Sequence, residues 1–352
     1  MSCTKCQSVP IIPKKGGDVI FSCEVPELCT KISMILESKN INHIREDFYT
    51  LIATTHSFSA FLEDLCHFGT LKKIERQAIR CLFLEHTQPL SPSMLKEMRT
   101  LQQYKDLMGA NELSMLIEKG ALTTHFQPIV DLNSAEIYGY ESLARGVNDD
   151  GTLQYPDKLF SLAKEGEILF YLDRACRETS LKTAAVKNIT SKVFINFIPT
   201  AIYDPEHCLQ STVKWAKQLE FDPKNIIFEV IETEHVEDVE HLKKILSFYK
   251  SQGFMVALDD VGSGYSSLNM IAKLKPDIVK IDREIIDGID TNPVHQSVFK
   301  AIVSLAKELE IMVLAEGVER SEEVAYCAAN GADLAQGYYF GKPSAEPVRK
   351  LS

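Results

Sequence analysis

Val256-Ala257-Leu258-Asp259-Asp260-Val261-Gly262-Ser263-Gly264-Tyr265-Ser266-Ser267 is an apolar run that ends on two adjacent carboxylates and opens into a glycine- and hydroxyl-rich loop. Two acids at the end of a buried strand lose more hydration than they regain unless a cation meets them. A divalent metal is one such cation. The plainer alternative is that one Asp caps the next helix and the other is solvated, an ordinary arrangement after any strand. The surrounding chain decides between them.

On either side of this run, apolar strands end near Asn196, Glu229, Asp259, Lys280, Glu316 and Gln336, at separations of 33, 30, 21, 36 and 20 residues. Amphipathic stretches such as Val239 to Gln252 and Val294 to Leu309 lie between them, each with the three- and four-residue spacing of a helix. This is the rhythm of strand-then-helix units around a parallel sheet. Residues 112–352 number 241, close to the ~250 of a (β/α)8 barrel. The expected fold is therefore α/β, a TIM-like (β/α)8 barrel. A doubly wound open sheet competes, but no glycine-rich dinucleotide fingerprint follows an early strand.

Side chains alternate across a strand, so each polar intruder has a definite face. Glu229 shares a face with Ile227 and Ile231, and Asn196 shares one with Phe194. Lys280 and Asp282 stand on one face of their strand and form a candidate ion pair, whereas Glu316 is a lone acid after four apolar neighbours. Singly, each has a mundane explanation. Together they deliver polar groups at the C-terminal ends of five successive strands, which is where barrel enzymes place their chemistry. Carboxylates with one amide oxygen suit Mg²⁺ or Mn²⁺, and no convergent His or Cys points to zinc there. The reaction class this favours is two-metal hydrolysis of a phosphate ester, with one metal lowering the pKa of a water.

The N-terminal region reads differently. Strands at Asp18–Cys23, Phe48–Ala53 and Ala78–Leu84 and helices at Glu27–Ser38 and Phe58–His67 suggest a small α/β module over residues 1–90. Residues 91–111 form an expected helical connector, with Leu95, Met98, Leu101, Tyr104 and Met108 as one apolar stripe of a helix spanning 94–108. Cys3-x-x-Cys6 with Cys23 and Cys29 supplies a candidate four-thiolate zinc site, although five residues between the second pair is loose spacing. Buried or free cysteines are the plainer reading.

Composition narrows the partners. The net charge of −11 comes from 13 Lys+Arg against 12 Asp+Glu in residues 1–111 and 25 against 37 in the remainder. An acidic second region lacks the basic footprint of a protein that grips duplex nucleic acid. A phosphate ester handled there needs metals to supply positive charge. No apolar run approaches the ~18 residues of a membrane span, and nine scattered cysteines are unlike a secreted disulfide framework, so a cytoplasmic protein without a membrane partner is expected.

Several stretches, in order, resemble the EAL-domain family of cyclic di-GMP phosphodiesterases over about residues 112–352. They are Phe126-Gln127-Pro128-Ile129-Val130-Asp131, Glu141-Ser142-Leu143-Ala144-Arg145, Ile195-Asn196, Glu229-Val230-Ile231-Glu232 and the Asp259–Ser267 loop. Val279-Lys280-Ile281-Asp282, Ala315-Glu316-Gly317-Val318-Glu319 and Gln336-Gly337-Tyr338-Tyr339-Phe340 complete the set. The resemblance implies a barrel whose first strand is antiparallel to the rest, hydrolysis of cyclic di-GMP to the linear dinucleotide with two Mg²⁺ or Mn²⁺ ions, and a homodimer. It assigns Glu141, Asn196, Glu229 and Asp259 to one metal, with Asp259 and Asp260 bridging to a second. Lys280 is assigned to the attacking water or scissile phosphate, Glu316 to water-mediated ligation or base catalysis, and Glu232 to bracing the Gly262–Ser267 loop. Gln127, Arg145 and Gln336 are assigned to nucleotide contacts. Ser142, Val261, Ser263 and Ile198 depart from the usual residues, but none of these removes an oxygen ligand. A silent receptor for cyclic di-GMP, or a metal-dependent phosphodiesterase for another nucleotide, are the alternatives.

Overall fold

The computed structural model describes residues 10, 12–66, 71–86, 90–231, 239–262 and 267–351. Backbone proximity divides the chain into two compact units, one of Gly120–Asp157 with Phe170–Ser352 and one of Ser8–Lys119 with Lys158–Leu169.

The smaller unit is built on a five-stranded antiparallel sheet in the order His43–Arg45, Thr50–Thr55, Gly17–Cys23, Ile79–Glu85, Arg99–Thr100. Its central strand buries Val19 and Phe21 on one face. Helices Pro26–Ser38 and Phe58–Cys66 follow the apolar periodicity that predicted them. The helix expected over 94–108 is instead a 3-10 turn at Met94–Glu97, a short strand at Arg99–Thr100 and a helix at Leu101–Gly109. Thr100 explains the break. Its side chain accepts from Gln103 N at 3.1 Å while the Gln103 side chain accepts from Thr100 N at 2.8 Å, a capping box that starts the helix one residue later. Leu95 and Met98 therefore lie outside the helix that the apolar spacing appeared to extend. Strand His43–Arg45 and helix Lys73–Gln77, three and five residues long, are too short to show a period and were not anticipated.

The larger unit closes eight strands into a ring: β1 Leu122–Asp131, β2 Ile137–Val147, β3 Lys192–Phe197, β4 Ile226–Ile231, β5 Met255–Val261, β6 Ile278–Ile281, β7 Met312–Ala315 and β8 Leu334–Gln336. β1 pairs antiparallel with both β8 and β2, and every other neighbouring pair in the ring is parallel. The fold is the expected TIM-like barrel with its first strand reversed. Both faces of these strands are covered, which is why they read as nearly continuous apolar runs. Outward residues such as Ile195, Phe228, Val256 and Val279 pack with helix residues such as Leu242, Ile245 and Tyr249. Inward residues Ile129, Phe194, Ile227, Ala257, Ile278, Leu314 and Leu334 form a separate buried cluster inside the ring. At the remaining inward position stands Gly139, where a Cβ would lie 2.5 Å from the Lys192 carbonyl oxygen, so only glycine permits this approach of β2 to β3. No helix among the described residues is long and apolar enough to cross a membrane.

Candidate active site

Two residues beyond the apolar layer, on the same inward faces, the chemistry changes. Phe194 is followed by Asn196, Ile227 by Glu229, Ala257 by Asp259, Ile278 by Lys280, Leu314 by Glu316 and Leu334 by Gln336. Gly139 is followed by Glu141, and reversed β1 supplies Gln127 two residues before Ile129. The register pairs Gln127 with Glu141 and Asn196 with Glu229 but sets Glu141 beside Phe194, Lys280 beside Leu314 and Gln336 beside Ile129, the stagger of a tilted barrel. The polar tier is therefore stepped from strand to strand and is drawn together at one rim by its side chains.

Lys280 stands at the centre of this tier. Its Nζ lies 2.8 Å from Glu229 Oε1, 3.0 Å from Asp259 Oδ1 and 2.8 Å from Glu316 Oε1, and its side chain is 1% exposed. On the other side, Asn196 Nδ2 donates to Glu141 Oε1 at 2.9 Å. Gln336 Nε2 donates to Glu141 Oε2 at 2.6 Å and to Gln127 Oε1 at 3.1 Å. Glu141, Asn196, Glu229, Asp259, Lys280 and Glu316 are thus brought together.

Electrostatics sharpens the picture. Burial, with Glu141 and Asp259 adding to it, holds the Glu229 carboxyl well above its ordinary range although Lys280 opposes the shift. Burial and Asp259 do the same to Glu316. Burial disfavours the Lys280 charge, but Asp259, Glu141, Glu229 and Glu316 outweigh it and hold its pKa well above normal. Asp260 is pushed up to about 7 by burial and by the neighbouring Asp259 and Asp282. Too many carboxylates face too few cations.

The residues fit divalent metal on four counts. Among the described residues, Asn196 Oδ1 and both Glu229 oxygens are buried without a hydrogen-bond donor. Lys280 Nζ meets Glu229 Oε1 at 2.8 Å, which leaves Oε2 and Asn196 Oδ1 as the oxygens with no cation or donor beside them among the described residues. Oxygens of Asp259, Asp260 and Glu316 lie within 4.8 Å of one another, close enough to share an ion. The β5–β6 pairing is irregular between Leu258 and Val261, and Asp260 takes φ 55°, a left-handed conformation that sets two consecutive acids beside the rim. Finally, Glu141, Glu229, Asp259, Asp260 and Glu316 against Lys280 leave a formal charge of −4 when ionised, which two divalent cations would cancel.

A cleft of 240 Å³ opens over the tier, lined by Gln127, Glu141, Asp260, Glu316 and Gln336 together with Asp282, Arg283, Gly317, Glu319, Gly337 and Tyr338. Arg145 is 6% exposed, donates to the Ala144 carbonyl at 2.8 Å and stacks its guanidinium 4.9 Å from the centre of the Tyr155 ring. Its Nε has no partner among the described residues. Asp282 does not pair with Lys280. β6 ends at Ile281, so strand alternation does not reach Asp282, which instead accepts from Glu284 N at 2.6 Å and caps the helix Arg283–Ile286. Glu232, Cys3, Cys6 and the loop residues 263–266 lie outside the described residues. Cys23 and Cys29 are free and buried, and burial with the adjacent Cys29 thiol pushes Cys23 up to about 12.

Sequence reasoning passed over one set of residues. Asp173, Arg177 and Ser180 are buried on the helix Leu169–Val186. Asp173 accepts from Ile198 N just past the strand that carries Asn196, Ser180 accepts from Ser142 on the strand that carries Glu141, and Arg177 holds Asp173. Their spacing of four and three residues on an otherwise apolar face was the available signal.

Known proteins resemble this chain over the barrel region. The sequence model of the EAL domain matches residues 110–343. A probable cyclic di-GMP phosphodiesterase, PdeG, of Escherichia coli K12 is 29% identical over 238 residues, which is 66% of this chain and 46% of that protein. The cyclic di-GMP phosphodiesterase NbdA of Pseudomonas aeruginosa PAO1 is 29% identical over 251 residues, 68% of this chain and 31% of that protein. The chain thus spans less than half the length of these two relatives. Among solved structures, a standalone versatile EAL protein from Vibrio cholerae O395 in its c-di-GMP-bound form is 42% identical, with a TM-score of 0.60 over 66% of this chain and 95% of that one.

Proposed function

The chain belongs to the EAL domain family, and on that premise we propose that it hydrolyses cyclic di-GMP to linear 5′-pGpG at the polar rim of the barrel. The observation that carries this reading is the tier of oxygens around Lys280, with Asn196 Oδ1 and the Glu229 carboxylate buried and undersupplied with donors. Such groups are costly without a cation. Two Mg²⁺ or Mn²⁺ ions would supply the Lewis acidity and neutralise the charge that develops on phosphorus-bound oxygens. Glu141, Asn196, Glu229 and Asp259 would hold one of them, and Asp259 with Asp260 the other.

The chain's own groups then divide the work. Lys280, fixed by three carboxylates, directs its ammonium at the attacking water or a scissile phosphate oxygen. Water adds to phosphorus and the bond to the 3′ oxygen breaks. Glu316, at the edge of the cleft, takes the proton that water loses, and the departing 3′ oxygen takes a proton from solvent water at the open cleft and leaves as a hydroxyl. Gln127 and Gln336 line the cleft and contact the nucleotide, with Arg145 on its Tyr155 support. In this reading the small α/β module of residues 1–90 would be sensory, and the homodimer that the family likeness implies is tested by sedimentation velocity at micromolar concentration.

The direct assay gives purified protein cyclic di-GMP with Mg²⁺ or Mn²⁺ and follows the linear product by chromatography. Metal-dependent product that is lost in Glu141→Ala is expected. Tight binding without product supports a receptor instead, and cleavage of a different cyclic nucleotide in preference to cyclic di-GMP reassigns the substrate.

A further inference from the structure

The helix Leu169–Val186 carries a buried polar stripe that ordinary packing does not call for. Arg177 is fully buried and Asp173 is 2% exposed, and they are joined by Nε to Oδ2 at 3.0 Å and Nη2 to Oδ2 at 2.7 Å. Arg177 Nη1 also donates to the hydroxyl of buried Thr212. A buried ion pair of this kind is often no more stable than apolar residues of the same volume. Its geometry suggests another use.

The remaining oxygen of Asp173, Oδ1, accepts from Ile198 N at 2.9 Å, two residues past Asn196 on the same chain segment. Two turns further along the helix, Ser180 Oγ accepts from Ser142 Oγ at 2.6 Å and donates to the Cys176 carbonyl at 2.9 Å. Ser142 also bonds Thr124 across β1 at 2.7 Å and directly follows Glu141. One helix therefore holds β2 at Ser142 and the exit of β3 at Ile198, beside the inward residues Glu141 and Asn196 that bond to each other at 2.9 Å. Both grips fall within two residues of the oxygens they govern. Asn196 Oδ1, left without a donor, depends on this backbone placement for its aim.

We propose that Asp173, held by Arg177, and Ser180 are positioning residues that set the spacing of the Glu141–Asn196 pair and thereby the affinity of the rim for divalent cations. This rests on the metal reading above. Partners hydrogen-bonded directly to metal ligands typically govern about 10–100-fold in affinity, because they limit the orientations a ligand can take. Asp173 and Ser180 act one step further out, on Ile198 and Ser142 beside the ligands, so an effect no larger than the low end of that range is expected.

The test is Mn²⁺ titration of the full chain by calorimetry without nucleotide, alongside melting temperature. The double variant Asp173→Leu/Arg177→Met replaces the pair by apolar residues of similar size. It is expected to melt at or above the wild-type temperature and to bind Mn²⁺ about tenfold more weakly. Ser180→Ala, a benign change inside a helix, is expected to keep its melting temperature and bind about threefold more weakly, an effect on the order of one lost hydrogen bond. Leu242→Ala, in the outer core, controls for general loosening and should lower melting without moving Mn²⁺ affinity. If both stripe variants bind within twofold of wild type, the proposal is overturned while the metal reading stands. If the double variant fails to fold, Ser180→Ala decides alone. If wild type takes up no Mn²⁺, the metal reading fails and the proposal with it.

Discussion

The barrel interior contains two tiers that are one step apart in sequence and opposite in character. The lower tier, Ile129, Phe194, Ile227, Ala257, Ile278, Leu314 and Leu334, is a packed apolar core. The upper tier, reached two residues along each strand, crowds carboxylates around one lysine and leaves buried oxygens without donors. A strand rises ~3.3 Å per residue, so the change from stability to chemistry occurs over about 7 Å. The two tiers share strands and helices, and only side-chain chemistry separates them. The lower tier stabilises the ring, while the crowded acids of the upper tier cost stability on their own.

The strongest way to break this division is to cut each tier in the same strand or its neighbour. Glu229→Ala and Asp259→Ala should each lower turnover by about 10³-fold or more, since each removes an oxygen from the proposed ion positions. Metal-free melting temperature should hold or rise, because a crowded buried acid is gone. Thermal melts beside product chromatography check both halves. Leu314→Ala, two residues before Glu316, should do the reverse. It is expected to cost about 2–5 kcal/mol by chemical denaturation and to leave Mn²⁺ affinity within twofold.

A pH series sharpens the same contrast. Asp260 has a folded pKa near 7, raised from 3.8, so the metal-free fold favours its protonated form. That contribution is fully present below pH 3.8 and is lost as pH rises through about 7. A cation must displace this proton, so Mg²⁺ affinity should weaken by about tenfold per pH unit below 7 and level off above it. Calorimetric titrations from pH 5.5 to 8.5 measure this. The smallest expected effect is Tyr155→Leu. Losing the ring beneath Arg145 removes about 0.5–1 kcal/mol, a two- to fivefold loss in cyclic di-GMP affinity with metal affinity unchanged.

Much of this tiering was legible in the chain because strand alternation is strict. Ile227 and Glu229, or Ile278 and Lys280, must share a face wherever the strand continues. The same rule failed one residue past a strand end, where Asp282 caps a helix instead of meeting Lys280. The helix expected over 94–108 failed for a related reason: apolar spacing carries no mark of a capping box at Thr100. Reversal of the first strand came with the family likeness, since a parallel and an antiparallel strand have the same alternation. The Asp173–Arg177 pair was hidden because an acid and a base four residues apart on a helix usually read as a solvated surface pair.

Mn²⁺ stoichiometry by electron paramagnetic resonance is the most direct test of the upper tier as a cation site. Two ions per chain in the wild type and one or none in Asp259→Asn are predicted, because Asp259 is the oxygen donor that the proposal places at both positions. A wild-type chain that leaves all Mn²⁺ free in solution at millimolar concentration would contradict it.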